Sequence, residues 1–169
     1  MCLPCCLRIS IERRTRKELE SISKTKASAA SSRTPFGVMA APITFIPAGD
    51  FARLRDPSVA VVDVRDEERK YDGHIAGSLH YPSETFEKKI PDLLKDLKGK
   101  DTVVFYCAKS QIRGPTCART LVEHLNNASS AGTAGKTPKV LVLERGFDGW
   151  AAAGRPVCSC KNAPCNHKP

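Results

Sequence analysis

No stretch of this 169-residue sequence stays apolar for the ~18–20 residues that cross a bilayer, which speaks against a membrane-spanning chain. Its opening residues, MCLPCCLRIS, lack the apolar h-region of a secretory signal. A reducing compartment, cytoplasm or nucleus, is therefore expected, with cysteines free or metal-bound rather than disulfide-linked. The middle of the chain is short of both net charge and cysteine. Residues 39–154 hold 16 basic and 15 acidic side chains, against 8 and 3 in residues 1–38 and 3 and 0 in residues 155–169. Of the net charge of +9, only +1 belongs to the middle, and of 8 Cys only Cys107 and Cys117 lie there. A nucleic-acid-binding domain carries its basic excess on the fold, and a disulfide scaffold spreads cysteine through its core. Neither pattern is present. There is no internal repeat, and the length fits one domain with tails, expected to be a monomer.

Residues 1–38 mix Arg13, Arg14, Arg16, Lys17, Lys24, Lys26 and Arg33 with Ser21, Ser23, Ser28, Ser31 and Ser32. Such a segment buries too little apolar surface to offset its ordering entropy, and reads as a disordered basic tail. Organellar targeting competes with that reading, although Glu12, Glu18 and Glu20 count against a transit peptide. Acylation of Cys5 and Cys6 would be the one route to a membrane.

From residue 42 regular elements begin. Apolar runs at 43–46, 59–64, 79–81, 102–106 and 140–143 read as strands, and they lack the polar alternation of a half-exposed sheet. Helices are expected at 48–55, 84–97, 115–126 and 147–153, the second from Phe86, Ile90, Leu93, Leu94 and Leu97 at helical spacing. An Ala/Ser/Gly-rich loop is expected at 128–137. Strands alternating with helices argue an α/β domain, residues 40–156, with a mostly parallel five-stranded sheet covered on both faces.

The chemistry concentrates where the 102–106 strand runs into Cys107, five residues intervene, and Arg113 precedes a helix marked by Pro115. Ligands of parallel sheets bind beyond the carboxyl ends of the strands. A loop entering a helix there offers backbone N–H groups and the positive end of the helix dipole to a tetrahedral oxyanion. Arg113 can close the nest with a bidentate fork. Ala108, Lys109, Ser110, Gln111 and Ile112 form the wall of this oxyanion loop, and Lys109 adds charge. That field suits thiolate, the nucleophilic form of cysteine. Cys107 is thus the candidate nucleophile and Arg113 the candidate oxyanion holder.

The segment Asp63-Val-Arg65-Asp-Glu-Glu-Arg-Lys-Tyr71-Asp-Gly73-His74-Ile75-Ala-Gly77 and the later Leu143-Glu-Arg-Gly146-Phe147-Asp-Gly149-Trp150 resemble the two signatures of the rhodanese domain. The Cys107–Arg113 loop, seven residues long with Gly-Pro after it, resembles that of the cell-division-cycle dual-specificity phosphatases and of plant and yeast arsenate reductases, closest to the plant branch. Sulfurtransferase rhodaneses have a shorter, six-residue loop. The resemblance implies an arsenate reductase using glutathione or glutaredoxin, a tyrosine or dual-specificity phosphatase acting on a phosphoprotein, or both. The alternatives are a weakly catalytic anion-binding module and a thiosulfate-type sulfurtransferase. The chain departs from the family in two ways: Tyr106 stands where histidine usually precedes the cysteine, and the loop lacks a carboxylic acid. A phosphatase needs such an acid to protonate its leaving group, whereas arsenate can release water. By the same resemblance Asp63, Arg65 and His74 read as structural. Cys117, on the inner stripe with Leu121 and Leu125, reads as core.

Residues 157–169 bring Cys158, Cys160, Cys165 and His167 into a segment too polar to fold by burial. Three thiolates and an imidazole are an accepted set for a closed structural zinc site, and the plant branch has a metal-binding C-terminal loop. Free thiols on a disordered tail, or a disulfide, are the competing readings.

Overall fold

The segments at 59–63, 102–106 and 139–143 become strands whose side chains are largely buried between helices, whereas the flanking strands at 44–46 and 79–80 are only partly covered. In the computed structural model, which describes residues 43–130 and 137–167, the order is β1 (Thr44–Ile46), α1 (Ala48–Leu54), β2 (Val59–Asp63), α2 (Arg69–Asp72), β3 (His74–Ile75), β4 (Leu79–His80), a 3₁₀ turn at Ser83–Thr85, α3 (Phe86–Asp96), β5 (Thr102–Tyr106), α4 (Arg113–Ser130), β6 (Lys139–Leu143), α5 (Gly146–Ala152) and β7 (Val157–Cys158). The main sheet runs β1-β6-β5-β2-β4 with every pairing parallel. The expected α/β fold is therefore present.

Side chains of β5 alternate between two cores. Val103 and Phe105 join Phe86, Ile90, Leu93 and Leu121 from α3 and α4 on one face. Val104 and Tyr106 join Phe51, Phe147 and Trp150 from α1 and α5 on the other. Phe51 and Trp150 meet at 5.2 Å between ring centroids, within the range of favourable aromatic pairs. Because each face of the sheet is covered, β5 has no polar alternation, as its sequence indicates.

The structure differs from the sequence reading in three places. Helix α4 starts at Arg113 and runs to Ser130, so the 128–137 loop is helical in its first residues; 131–136, like the 1–38 tail, lies outside the described residues. Between the 59–64 and 79–81 runs, where no regular element was expected, lie α2 and β3. The C-terminal segment is not a free tail up to 167: β7 pairs antiparallel with β3, with Cys158 opposite His74 and Val157 opposite Ile75. Gly73 permits this approach, with φ +77° and no side chain where a Cβ would stand 2.8 Å from Val157.

Candidate active site

The loop between β5 and α4 is shaped by two close approaches. Ser110 adopts a left-handed φ of 52°, which turns its N–H onto Cys107 Sγ at 3.2 Å while its hydroxyl receives the Cys107 N–H at 3.5 Å. The amides of Phe147 and Asp148 at the start of α5 donate to the carbonyls of Cys107 and Ala108, both at 2.9 Å. Those carbonyl oxygens would repel an anion, and α5 holds them in hydrogen bonds. Gly146 makes the contact possible: at φ +57°, a Cβ there would sit 2.3 Å from Cys107 O. The signature near the chain's end thus braces the Cys107 loop.

Cys107 is buried, Ser110 is buried, and Lys109, Gln111 and Ile112 are exposed, with Ala108 intermediate. Arg113, the first residue of α4, points at acids that sequence reasoning missed. Its Nη1 lies 2.9 Å from Asp66 Oδ2 and its Nη2 2.6 Å from Glu68 Oε1. Asp66 is anchored by the Ser83 hydroxyl at 2.9 Å. The hydrogen bond from Arg113 pulls the Glu68 carboxyl down to about 2, and those same bonds push the guanidinium further toward its charged form against its partial burial. The fork expected to close on an oxyanion is held by two carboxylates. The acidic run Asp66-Glu67-Glu68 was the available signal.

Tyr106 has a structural task. Its hydroxyl donates to Asp63 Oδ2 at 2.9 Å, accepts the Ile75 N–H at 3.2 Å and lies 3.2 Å from Ser78 Oγ. Asp63 also receives Arg65 Nη2 at 2.9 Å and Arg69 Nη1 at 3.0 Å. Full burial, followed by the Asp63 charge, raises the phenol's pKa and keeps it protonated. Arg65 lies over the Phe147 ring, 4.1 Å from its centroid. Tyr106 is therefore a strut joining β5 to β3, and Asp63 and Arg65 belong to the same buried structural network. Cys117 is buried, and desolvation, followed by the charges at Asp66 and Cys107, pushes its thiol up to about 12. It is a poor nucleophile and a core residue. His80 Nε2 lies 2.8 Å from the Arg65 carbonyl.

The C-terminal cysteines meet a histidine from the middle of the chain. Sγ of Cys160 is 3.4 Å from His74 Nε2 and 3.5 Å from Cys165 Sγ, and Cys165 is 3.8 Å from Cys158. The donor atoms of His74, Cys158, Cys160 and Cys165 all lie within 4.8 Å of one another. Zinc bonds of ~2.3 Å to sulfur and ~2.0–2.1 Å to nitrogen require tetrahedral ligand separations of roughly 3.5–3.8 Å, so the set fits zinc in chemistry and spacing. His74 is fully buried, and that burial lowers its pKa toward the neutral, ligating form. His167, expected as the fourth ligand, is exposed; its Nδ1 lies 3.3 Å from Cys158 Sγ and 3.7 Å from Cys165 Sγ, but His74, not His167, joins the three thiols in the mutually close set. The loop is also tied to the core by Cys165 N–H to Ser78 O at 3.1 Å and Arg69 Nη2 to Asn162 O at 3.4 Å.

The rhodanese-like domain profile matches residues 50–153. Arsenate reductase 2.2 of Oryza sativa subsp. japonica is 51% identical over 128 residues, 75% of this chain and 96% of that protein. The dual specificity phosphatase Cdc25 of Arabidopsis thaliana is 53% identical over 128 residues, 75% of this chain and 86% of that one. Among solved structures, an As-Sb reductase from Leishmania major superposes with a TM-score of 0.51 at 27% identity, covering 67% of this chain and 80% of that chain.

Proposed function

This chain belongs to the rhodanese-like domain family, and on that footing we propose that it is an arsenate reductase whose nucleophile is Cys107 and whose electrons come from glutathione or glutaredoxin. The observation that carries the reading is the Cys107 sulfur receiving the Ser110 N–H at 3.2 Å in a loop that ends on the Arg113 guanidinium. The thiolate attacks arsenic, an S–As bond forms, and one arsenate oxygen leaves as water after taking up protons. A thiol of the reductant then attacks Cys107 Sγ. An S–S bond forms, the S–As electron pair stays on arsenic, and As(V) departs as As(III), arsenite. A second thiol resolves the mixed disulfide and restores Cys107. Arg113 and the loop amides hold the oxyanion through the first step, at the site of developing charge.

Hydrolysis of a phosphotyrosine-type ester is the second reading, supported by the identity to the Arabidopsis phosphatase. It needs a proton donor for the leaving oxygen. The loop itself carries no carboxyl group, and the two nearby acids, Asp66 and Glu68, are ion-paired to Arg113, which favours arsenate. The C-terminal site would hold zinc through His74, Cys158, Cys160 and Cys165, where the metal supplies a structural cross-link and no chemistry. We place the chain, as a monomer, in cytoplasm or nucleus, reducing compartments that keep thiols free or metal-bound. The test compares arsenite formation and aryl phosphate hydrolysis for wild type and Cys107→Ser. Arsenite formed by wild type alone, exceeding phosphate release, supports the reading; equal rates in both proteins overturn it.

A further inference from the structure

The flank of the nucleophile loop carries a cleft that the chemistry above does not use. It has a volume of about 230 Å³ and is lined by Lys109 and Gln111 from the loop and by Arg145 and Asp148 at the start of α5. It adjoins the reacting sulfur's loop, since the Asp148 N–H holds the carbonyl of Ala108, next to Cys107. Among the described residues, Lys109, Arg145 and Asp148 form no ion pair with one another or with any other side chain. Elsewhere on the fold, Arg65, Arg69 and Arg113 are all committed to carboxylates. Arg145 is also set by its backbone. It holds a left-handed φ of 58°, and Gly149 leaves it room, since a Cβ there would sit 2.5 Å from Arg145 Cβ. Left-handed conformations of residues other than glycine carry a cost and concentrate at functional sites.

The lining presents two cations, one carboxylate and one side-chain amide. That complements a ligand with two carboxylates, one ammonium and peptide groups. The cations take carboxylates, Asp148 takes the ammonium, and Gln111 both donates to and accepts from a peptide unit. The volume is below the ~300–1,000 Å³ of pockets that engulf a drug-sized ligand, so the cleft holds one end of a molecule whose remainder extends over the loop. We propose that this cleft is the recognition subsite for a thiol peptide of the glutathione class, seating its charged end so that its sulfur meets Cys107. The inference rests on the arsenate-reductase reading and adds to it where the reductant binds.

The unreactive S-methylglutathione, titrated onto the full chain carrying Cys107→Ser and followed by calorimetry, tests the subsite without turnover. Saturable binding is expected, weakened at least about ten-fold by adding Arg145→Glu and largely restored by Arg145→Lys. In turnover, Arg145→Glu should raise KM for glutathione by a similar factor, with no matching loss for 2-mercaptoethanol, which has no carboxylate. Absence of S-methylglutathione binding, binding indifferent to Arg145→Glu, or equal losses with both thiols overturns the proposal. A wild type that binds S-methylglutathione through Arg145 yet forms no arsenite overturns the arsenate reading and leaves the subsite standing.

Discussion

Glu68 and Asp66 decide what Arg113 does before substrate arrives. Both carboxylates sit on the guanidinium that an incoming oxyanion needs, so they compete with it, and removing one negative charge strengthens anion binding. Glu68→Gln is expected to lower KM for arsenate several-fold with little change in kcat; a higher KM would mean that Glu68 positions Arg113 instead of competing for it. The pH dependence has a definite sign. The Glu68 pKa falls from 4.5 to about 2 in the folded chain, so the pair stabilises the fold above about pH 4.5 and that stability is lost as pH falls through 2. For a half-exposed pair the contribution is below ~1 kcal/mol, and wild-type and Glu68→Gln stabilities, measured by urea unfolding, should converge toward pH 2. The placement of Cys107 and Arg113 at the two ends of one strand-to-helix loop was legible from sequence because a buried strand, a fixed spacing and Pro115 set it locally. The choice of Asp66 and Glu68 as partners was not, because it depends on how the segment after β2 folds back onto α4. Tyr106 looked like the loss of a loop-supporting residue; only its contacts with Asp63, Ser78 and Ile75 reveal it as a strut.

The elements around the loop matter as much as the loop. Helix α5 supplies the two amides that bind the carbonyls of Cys107 and Ala108, and Gly146 is the point of closest approach. Gly146→Ala must either push the loop away or distort α5, and it also strains a left-handed position. Expected outcomes are a stability loss on the order of 1–3 kcal/mol, read by thermal unfolding, and a fall in kcat out of proportion to it. Retained kcat would show that α5 does not shape the nucleophile loop. The β3–β7 ribbon is the other such element. The alternating strands and helices of the main sheet could be read from apolar runs, but a two-residue strand carries no periodicity. His74 reaches the cysteines only through that pairing, so a scan of the C-terminal segment finds the nearby His167 instead. If zinc links β3 to β7, a strong chelator should lower Tm and release about one zinc per chain, and His74→Ala should lose metal more completely than His167→Ala. Metal content unchanged by His74→Ala would assign the fourth ligand elsewhere.

At the scale of the whole molecule, charge and cysteine are partitioned by segment. The net charge of +9 is carried mostly outside residues 39–154, and the anion recognition proposed here rests on placed groups, Arg113, loop amides and the Lys109–Arg145 cleft, rather than on bulk charge. The family profile begins at residue 50 and β1 at Thr44. A chain starting at Met39 is therefore expected to keep wild-type kcat/KM and unfolding midpoint, and a fall of more than about two-fold, well under the factor of 10 that corresponds to 1.4 kcal/mol, would assign residues 1–38 a part in the enzyme.

The central claim is that Cys107 carries the arsenic and then the thiol. Acid-quenching a reaction with arsenate and limiting glutathione, followed by peptide mass spectrometry, tests it most directly. The account predicts a glutathione mixed disulfide on Cys107 that requires arsenate and is absent in Cys107→Ser. Arsenite formation with Cys107 unmodified, or with the disulfide on Cys117 or a C-terminal cysteine, would contradict it.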